Sequence, residues 1–159
     1  MRLVLCRLGL AAVLGGAAFR PGLAQTSSIP LTGTVLTAIT VTGTDLAFGS
    51  VLATQTKTVA PAAGGRFTLT MQANSPMTLT YGLPSSLGPN VSIGSWTALS
   101  GYTNNIVAAT PVTTIGTTGT QTASSPTGEM YVWIGAQLST TGAAAGTYSA
   151  PITLTVTYD

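Results

Sequence analysis

The sequence predicts an all-β sandwich behind an N-terminal leader. Three observations carry that expectation. Downstream of residue 24, apolar residues recur at every second position, the period of a half-buried strand. Gly and Pro interrupt the chain too often for helices, and Thr, a weak helix former, supplies 30 of residues 25–159. The alternating runs are short and separated by turn residues, which argues for stacked antiparallel sheets.

Residues 1–24 read as a secretory signal peptide. Arg2 and Arg7 give a positive start, and Leu8 to Phe19 is an apolar stretch too short to span a bilayer. Gly22-Leu23-Ala24 places small residues at a cleavage site after Ala24, with a cut after Ala18 as the alternative. The rest of the chain then retains Lys57 and Arg66 against Asp45, Glu129 and Asp159, a side-chain net charge of −1. No basic patch remains to hold nucleic acid. Cys6, the only cysteine, leaves with the leader, so the exported domain has no disulfide and relies on its core or on association. A nearly uncharged surface is poorly soluble as a free monomer and suits a protein packed into an assembly.

Along the exported chain, Ile29, Leu31, Gly33 and Val35 alternate with polar residues, and Ile39 and Val41 continue the pattern after a change of phase near Leu36. Thr42 to Asp45 reads as a turn before Leu46-Ala47-Phe48-Gly49. Pro61 to Gly65 is a loop, and the stretch around Lys57 is loop-like. Phe67, Leu69 and Met71 form one alternating run, and Met77, Leu79, Tyr81 and Leu83 the next; the pair reads as an antiparallel hairpin. Val91 to Leu99 holds one or two short strands, and Ile106 to Ala109 is another candidate. Thr113 to Pro126 is a long loop or a polar edge hairpin. Met130 to Leu138 is a continuous apolar strand, with Trp133 expected in the core. No repeat and no second domain stand out. The expected division is a leader at 1–24, an extended arm at 25–36 and a sandwich at 37–159.

The final strand is the most informative segment. Tyr148, Ala150, Ile152, Leu154, Val156 and Tyr158 occupy alternate positions, and Ser149, Pro151, Thr153, Thr155 and Thr157 lie between them. One face is apolar and the other polar. Gly146 precedes the run by two residues, and Tyr158 stands one before the end. This Gly146…Tyr158 pattern resembles the C-terminal motif of chaperone–usher pilus subunits. The run is also similar to the end of spore-coat-protein-U-type pilins. It is similar again to an uncharacterised family of secreted bacterial β-domains with an L-x-F-G element near the start, here Leu46 to Gly49. The likeness covers the last thirty or so residues well and the first fifty loosely. The lack of a disulfide departs from many pilins.

The resemblance implies an immunoglobulin-like sandwich lacking one strand. A periplasmic chaperone would cover the gap first, and the N-terminal arm of a like subunit later, with an outer-membrane usher as a further partner. Residues 25–36 suit such an arm, with Ile29, Leu31, Gly33 and Val35 pointing one way. Burying the three aliphatic side chains is worth on the order of 5–9 kcal/mol, before the cost of ordering the arm. The expected location is the periplasm and then the cell surface. In the competing reading, residues 29–41 are an ordinary first strand of a self-contained secreted adhesin or carbohydrate-binding module.

The residue inventory argues against an enzyme. Without His, and without Cys beyond the leader, the chain lacks the commonest general base, metal ligands and thiol nucleophile. No metal or other cofactor is expected, because zinc needs N or S ligands and calcium needs clustered carboxylates. The internal carboxylates are Asp45, expected to bond its own turn, and Glu129, expected at a solvated strand end. Trp96, Tyr102 and Asn104-Asn105 fall in the irregular middle, where aromatic and amide groups can hold a sugar or simply build core and turns.

Overall fold

Alternation of side chains through residues 65–158 builds two antiparallel sheets that bury their apolar faces against each other. The computed structural model describes residues 30, 32–113, 115 and 118–159. Two units divide the chain, Met1–Thr34 and Val35–Asp159. The expected signal peptide and two arm residues, Ile29 and Leu31, lie outside the described residues. Gly33 and Val35 belong to no strand.

Among the described residues ten strands follow in order: β1 (Thr40–Thr44), β2 (Thr56–Val59), β3 (Gly65–Thr70), β4 (Pro76–Gly82), β5 (Ser86–Gly88), β6 (Val91–Gly101), β7 (Thr110–Pro111), β8 (Thr118–Ser124), β9 (Glu129–Thr140) and β10 (Thr153–Tyr158). The larger sheet runs β1-β3-β9-β6-β5, with β2 also on β9 and β7 also on β6. The smaller sheet is β10-β4-β8. The protein is thus an all-β sandwich.

β9 is the spine of the larger sheet. Its first half pairs with β3, from Thr70↔Glu129 to Gly65↔Ile134, and its second half with β2, from Val59↔Ala136 to Thr56↔Ser139. β2 and β3 are therefore one strand line, interrupted by a 3-10 turn at Pro61–Ala63. The interruption presses backbone onto backbone. A Cβ at Gly64 would run into the Ile134 carbonyl, and one at Gly135 into the Val59 carbonyl. On its other side β9 pairs with β6, whose ladder slips by one residue between Gly94 and Thr97. Ser95 takes the left-handed conformation there, with φ of 47°. This bulge turns Trp96 inward, where it packs against both core clusters.

Leu69, Met77, Leu79, Tyr81, Met130, Val132 and Ile134 form the centre of the main cluster, where the two sheets face each other. A smaller cluster of Val91, Ile93, Ala136 and Leu138 lies at the β5–β6 end of the larger sheet. It is covered from non-strand segments by Leu46, Phe48, Val51, Ala143 and Tyr148. The smaller sheet turns threonines outward in register. Thr155 pairs with Thr80 and Thr80 with Thr120; Thr157 pairs with Thr78 and Thr78 with Thr122. Matched β-branched neighbours of this kind support the ladder.

Several expectations need correction. The runs around Leu69 and Leu79 are not a hairpin: β3 and β4 sit in different sheets, and the intervening turn crosses the sandwich. Alternation is identical for a hairpin and for a crossover, so periodicity does not separate them. Thr42 to Thr44 is strand rather than turn, and residues 106–108 form a 3-10 turn. Lys57 stands in a strand, and the polar stretch before Pro126 holds β8 at a sheet edge. Trp133 is buried as expected, opposite Arg66 and Leu99 and stacked on Tyr131 with ring centroids 5.9 Å apart.

The backbone contact at Gly135 is open to test. Gly135→Ala should weaken the fold by about 1–3 kcal/mol, because β2 must back away from β9. Gly94→Ala, where a Cβ meets nothing within 4 Å, should change stability by no more than about 0.5 kcal/mol. Urea titrations of both variants measure the contrast.

Candidate functional site: an open strand edge

The alternation read from Tyr148 to Tyr158 is present in space. Tyr148, Ala150, Ile152, Leu154, Val156 and Tyr158 are all half-buried, and Ser149, Pro151, Thr153, Thr155 and Thr157 are all exposed. Ile152, Leu154, Val156 and Tyr158 pack against the main cluster and Tyr148 against the smaller one. Gly146 is exposed in the turn ahead of the run.

The backbone of this segment is only partly paired. From Thr153↔Gly82 to Tyr158↔Met77, β10 bonds to β4. Its other edge has no strand partner among the described residues. Upstream, residues 147–152 keep the alternating burial but belong to no strand, because β4 ends at Gly82 and Pro84 follows shortly after. Eleven residues therefore present one apolar face to the core, and the six of them that form β10 have one edge without a strand partner among the described residues.

Beside this segment runs a groove of about 1110 Å³. One wall is residues 43–53, which leave β1; the other is residues 143–152, which lead into β10. Phe67, Val91, Ile93, Ile134 and Leu138 line its floor. Leu46 and Phe48 stand in the first wall, so the Leu46-Ala47-Phe48-Gly49 element serves as a border of the groove.

Tyrosines fasten both ends of the segment. The Tyr148 hydroxyl donates to the Ala144 carbonyl at 2.8 Å, and its ring closes on Gly88. The Tyr158 hydroxyl accepts from the Gln72 N–H at 2.7 Å and donates to the Thr37 carbonyl at 2.8 Å. Thr37 also donates through Oγ1 to Gln72 Oε1 at 2.9 Å. Neither Thr37 nor Gln72 stood out in the sequence. Their partnership with Tyr158 spans 121 and 86 residues, and no periodicity marks it.

The other residues singled out from the sequence do not converge. Asp45 follows β1 beside the Thr44↔Arg66 pair, whereas Glu129 opens β9 opposite Thr70. Four residues of β3 separate those positions, about 13 Å of strand. Glu129 accepts from the Tyr131 hydroxyl at 3.1 Å. Among the described residues no group of three His, Cys, Asp or Glu is placed to hold a metal ion. Trp96 faces the core, Asn105 caps the 3-10 turn through the Val107 N–H, and Asn104 accepts from Arg66 at 2.8 Å. Arg66 lies 6.0 Å from the Tyr131 ring centre and roofs the outward aromatic pair.

No protein-family model matches the chain, and neither does any curated protein or solved structure.

Below the open edge, Tyr81 anchors the core face of β4. It is fully buried, and its hydroxyl donates to Gln121 Oε1 at 3.1 Å. Burial pushes its pKa from 10.0 up to about 12. The folded state therefore holds the phenolic proton more tightly than the unfolded chain does. The associated stability is fully present below pH 10 and is lost as pH rises toward 12. Tyr131 shifts in the same direction, chiefly through its hydrogen bond to Glu129. From the Tyr81 shift alone, stability should fall by up to about 3 kcal/mol across that window. Tyr81→Phe should flatten most of the decline, as chemical denaturation at stepped alkaline pH would show.

Proposed function

We propose that this protein is a structural subunit of a bacterial surface fibre and joins like subunits by β-strand donation. The observation that carries the reading is the edge of β10, which has no strand partner among the described residues, continued upstream by residues 147–152 of the same alternation, which border an open groove. An exposed edge of that length pairs with another strand unless something blocks it. Added strands gain affinity from main-chain hydrogen bonds and specificity from alternate side-chain pockets. In this reading the sandwich is immunoglobulin-like and incomplete.

The donor is residues 25–36 of a second copy, with Ile29, Leu31 and Val35 entering the groove and Gly33 passing where backbones crowd. Val35 is 96% exposed in its own subunit, as a side chain kept for a neighbour would be. The chain enters the periplasm behind its leader, a chaperone shields the edge, and an usher passes the subunit to the cell surface. The near absence of charge suits a surface buried between subunits. The outward threonine ladders keep the remaining face of the small sheet wet.

The test is the melting temperature of residues 37–159 with and without a synthetic peptide of residues 25–36. Binding to the folded state raises stability by about 2.7 kcal/mol at a hundredfold excess over Kd. For a domain of this size that is a rise of roughly 5–15 °C. A domain already stable, monomeric and indifferent to the peptide would instead identify a self-contained secreted module, of adhesin or carbohydrate-binding type.

A further inference from the structure

We propose that β8 is a second assembly edge, which pairs antiparallel with β8 of a second copy about a two-fold axis at Gln121. The inference is independent of strand donation, which uses β10 on the other side of the same sheet. The smaller sheet runs β10-β4-β8, so one side of β8 presents a row of backbone donors and acceptors with no strand partner among the described residues. Such a row is a template for another strand.

Folds blunt a free edge by shortness, by a charge or a proline, by a bulge, or by a cover. The other edges of the larger sheet carry such devices. β7 has two residues, β5 has three and a shifted register, β2 carries Lys57, and β1 runs directly into Asp45. β8 carries none of them. It is seven residues long, Thr-Gly-Thr-Gln-Thr-Ala-Ser, without a charge or a proline. Its register on β4 is unbroken from Pro76↔Ser124 to Gly82↔Thr118, so no bulge turns the edge away.

The strand is also complementary to itself. Thr120, Thr122 and Ser124 are exposed, whereas Gly119 is buried and Gln121 and Ala123 are half-buried, Ala123 against the main cluster. With the axis at Gln121 all seven residues find a partner, and exposed positions meet exposed ones. Thr120 then faces Thr122 of the second copy, a favourable cross-strand pair, and Gly119 faces Ala123 on the core side. A register shifted by one residue would set exposed positions against buried ones, and a shift by two would leave residues unpaired. Gln121, on the axis, is held by the Tyr81 hydroxyl, which donates to its Oε1 at 3.1 Å. No charge on β8 opposes the approach of a second copy. The contact is isologous and closes as a pair. The doubled sheet ends in β10 on both sides, so both donation edges stay free.

The test is amide exchange resolved along residues 119–124 of the full exported chain, read beside molar mass from light scattering at rising concentration. Amides of β8 that point away from β4 should gain protection as the copies pair. Thr120→Lys with Thr122→Lys sets like charges opposite each other across the axis and should weaken pairing about tenfold or more. Thr120→Lys with Thr122→Glu sets opposite charges there and should hold pairing within a few-fold of wild type. Outward β8 amides that exchange freely at every concentration would overturn the proposal, and so would equal weakening by the two double variants. Assembly that grows while those amides stay unprotected would be strand donation alone, and would overturn the β8 edge. If the lysine pair disturbs the β4–β8 ladder, single cysteines give a second reading, since no cysteine lies beyond Cys6. Mixed copies carrying Thr120→Cys and Thr122→Cys should form a disulfide several-fold faster than either variant does with itself. Equal rates would overturn the pairing.

Discussion

An edge strand must satisfy its backbone on two sides, and β10 is paired on one. Most of the architecture follows from that constraint. Among the described residues the larger sheet has seven strands and the smaller three, so the smaller cannot cover the whole core face of its partner. Where it falls short, at the Val91, Ile93, Ala136 and Leu138 cluster, non-strand segments from 45–53 and 143–152 provide the cover. Loops pack less completely than strands, and the groove is the result.

The stability of the unit is concentrated away from that side. Leu69, Met77, Leu79, Tyr81 and Val132 are each fully buried where the sheets face each other, and β9 holds β2, β3 and β6 together. Along the open edge every apolar residue is only half-buried. The fold therefore has a firm centre and an unfinished margin. The margin keeps its shape because Tyr148 and Tyr158 tie its two ends to backbone atoms elsewhere.

The sequence made some of this legible and hid the rest for identifiable reasons. Period-2 alternation with abundant Thr, Gly and Pro was enough for an all-β sandwich, and it placed every half-buried residue from Tyr148 to Tyr158. It misled at β3 and β4, because an alternating pair looks the same whether its turn stays in a sheet or crosses the sandwich. It missed β2, whose single charged residue, Lys57, and three neighbours carry too little apolar character for a pattern. It put Trp133 in the core by type, and the residue is buried, opposite Arg66 and Leu99 on the neighbouring strands and stacked on Tyr131 of its own strand. The Thr37–Gln72–Tyr158 triangle was invisible for a different reason. It is set by register between distant strands and uses mostly backbone partners, which leave no trace in residue type.

The central claim is that the free edge of β10 accepts a strand, and amide exchange resolved along residues 153–158 tests it most directly. In the unit alone, amides pointing to β4 should be protected and those pointing outward should exchange freely. On adding a peptide of residues 25–36, the outward set should become protected in the same alternate pattern. Outward amides already protected without peptide, or still exchanging when the peptide is bound, would contradict the account.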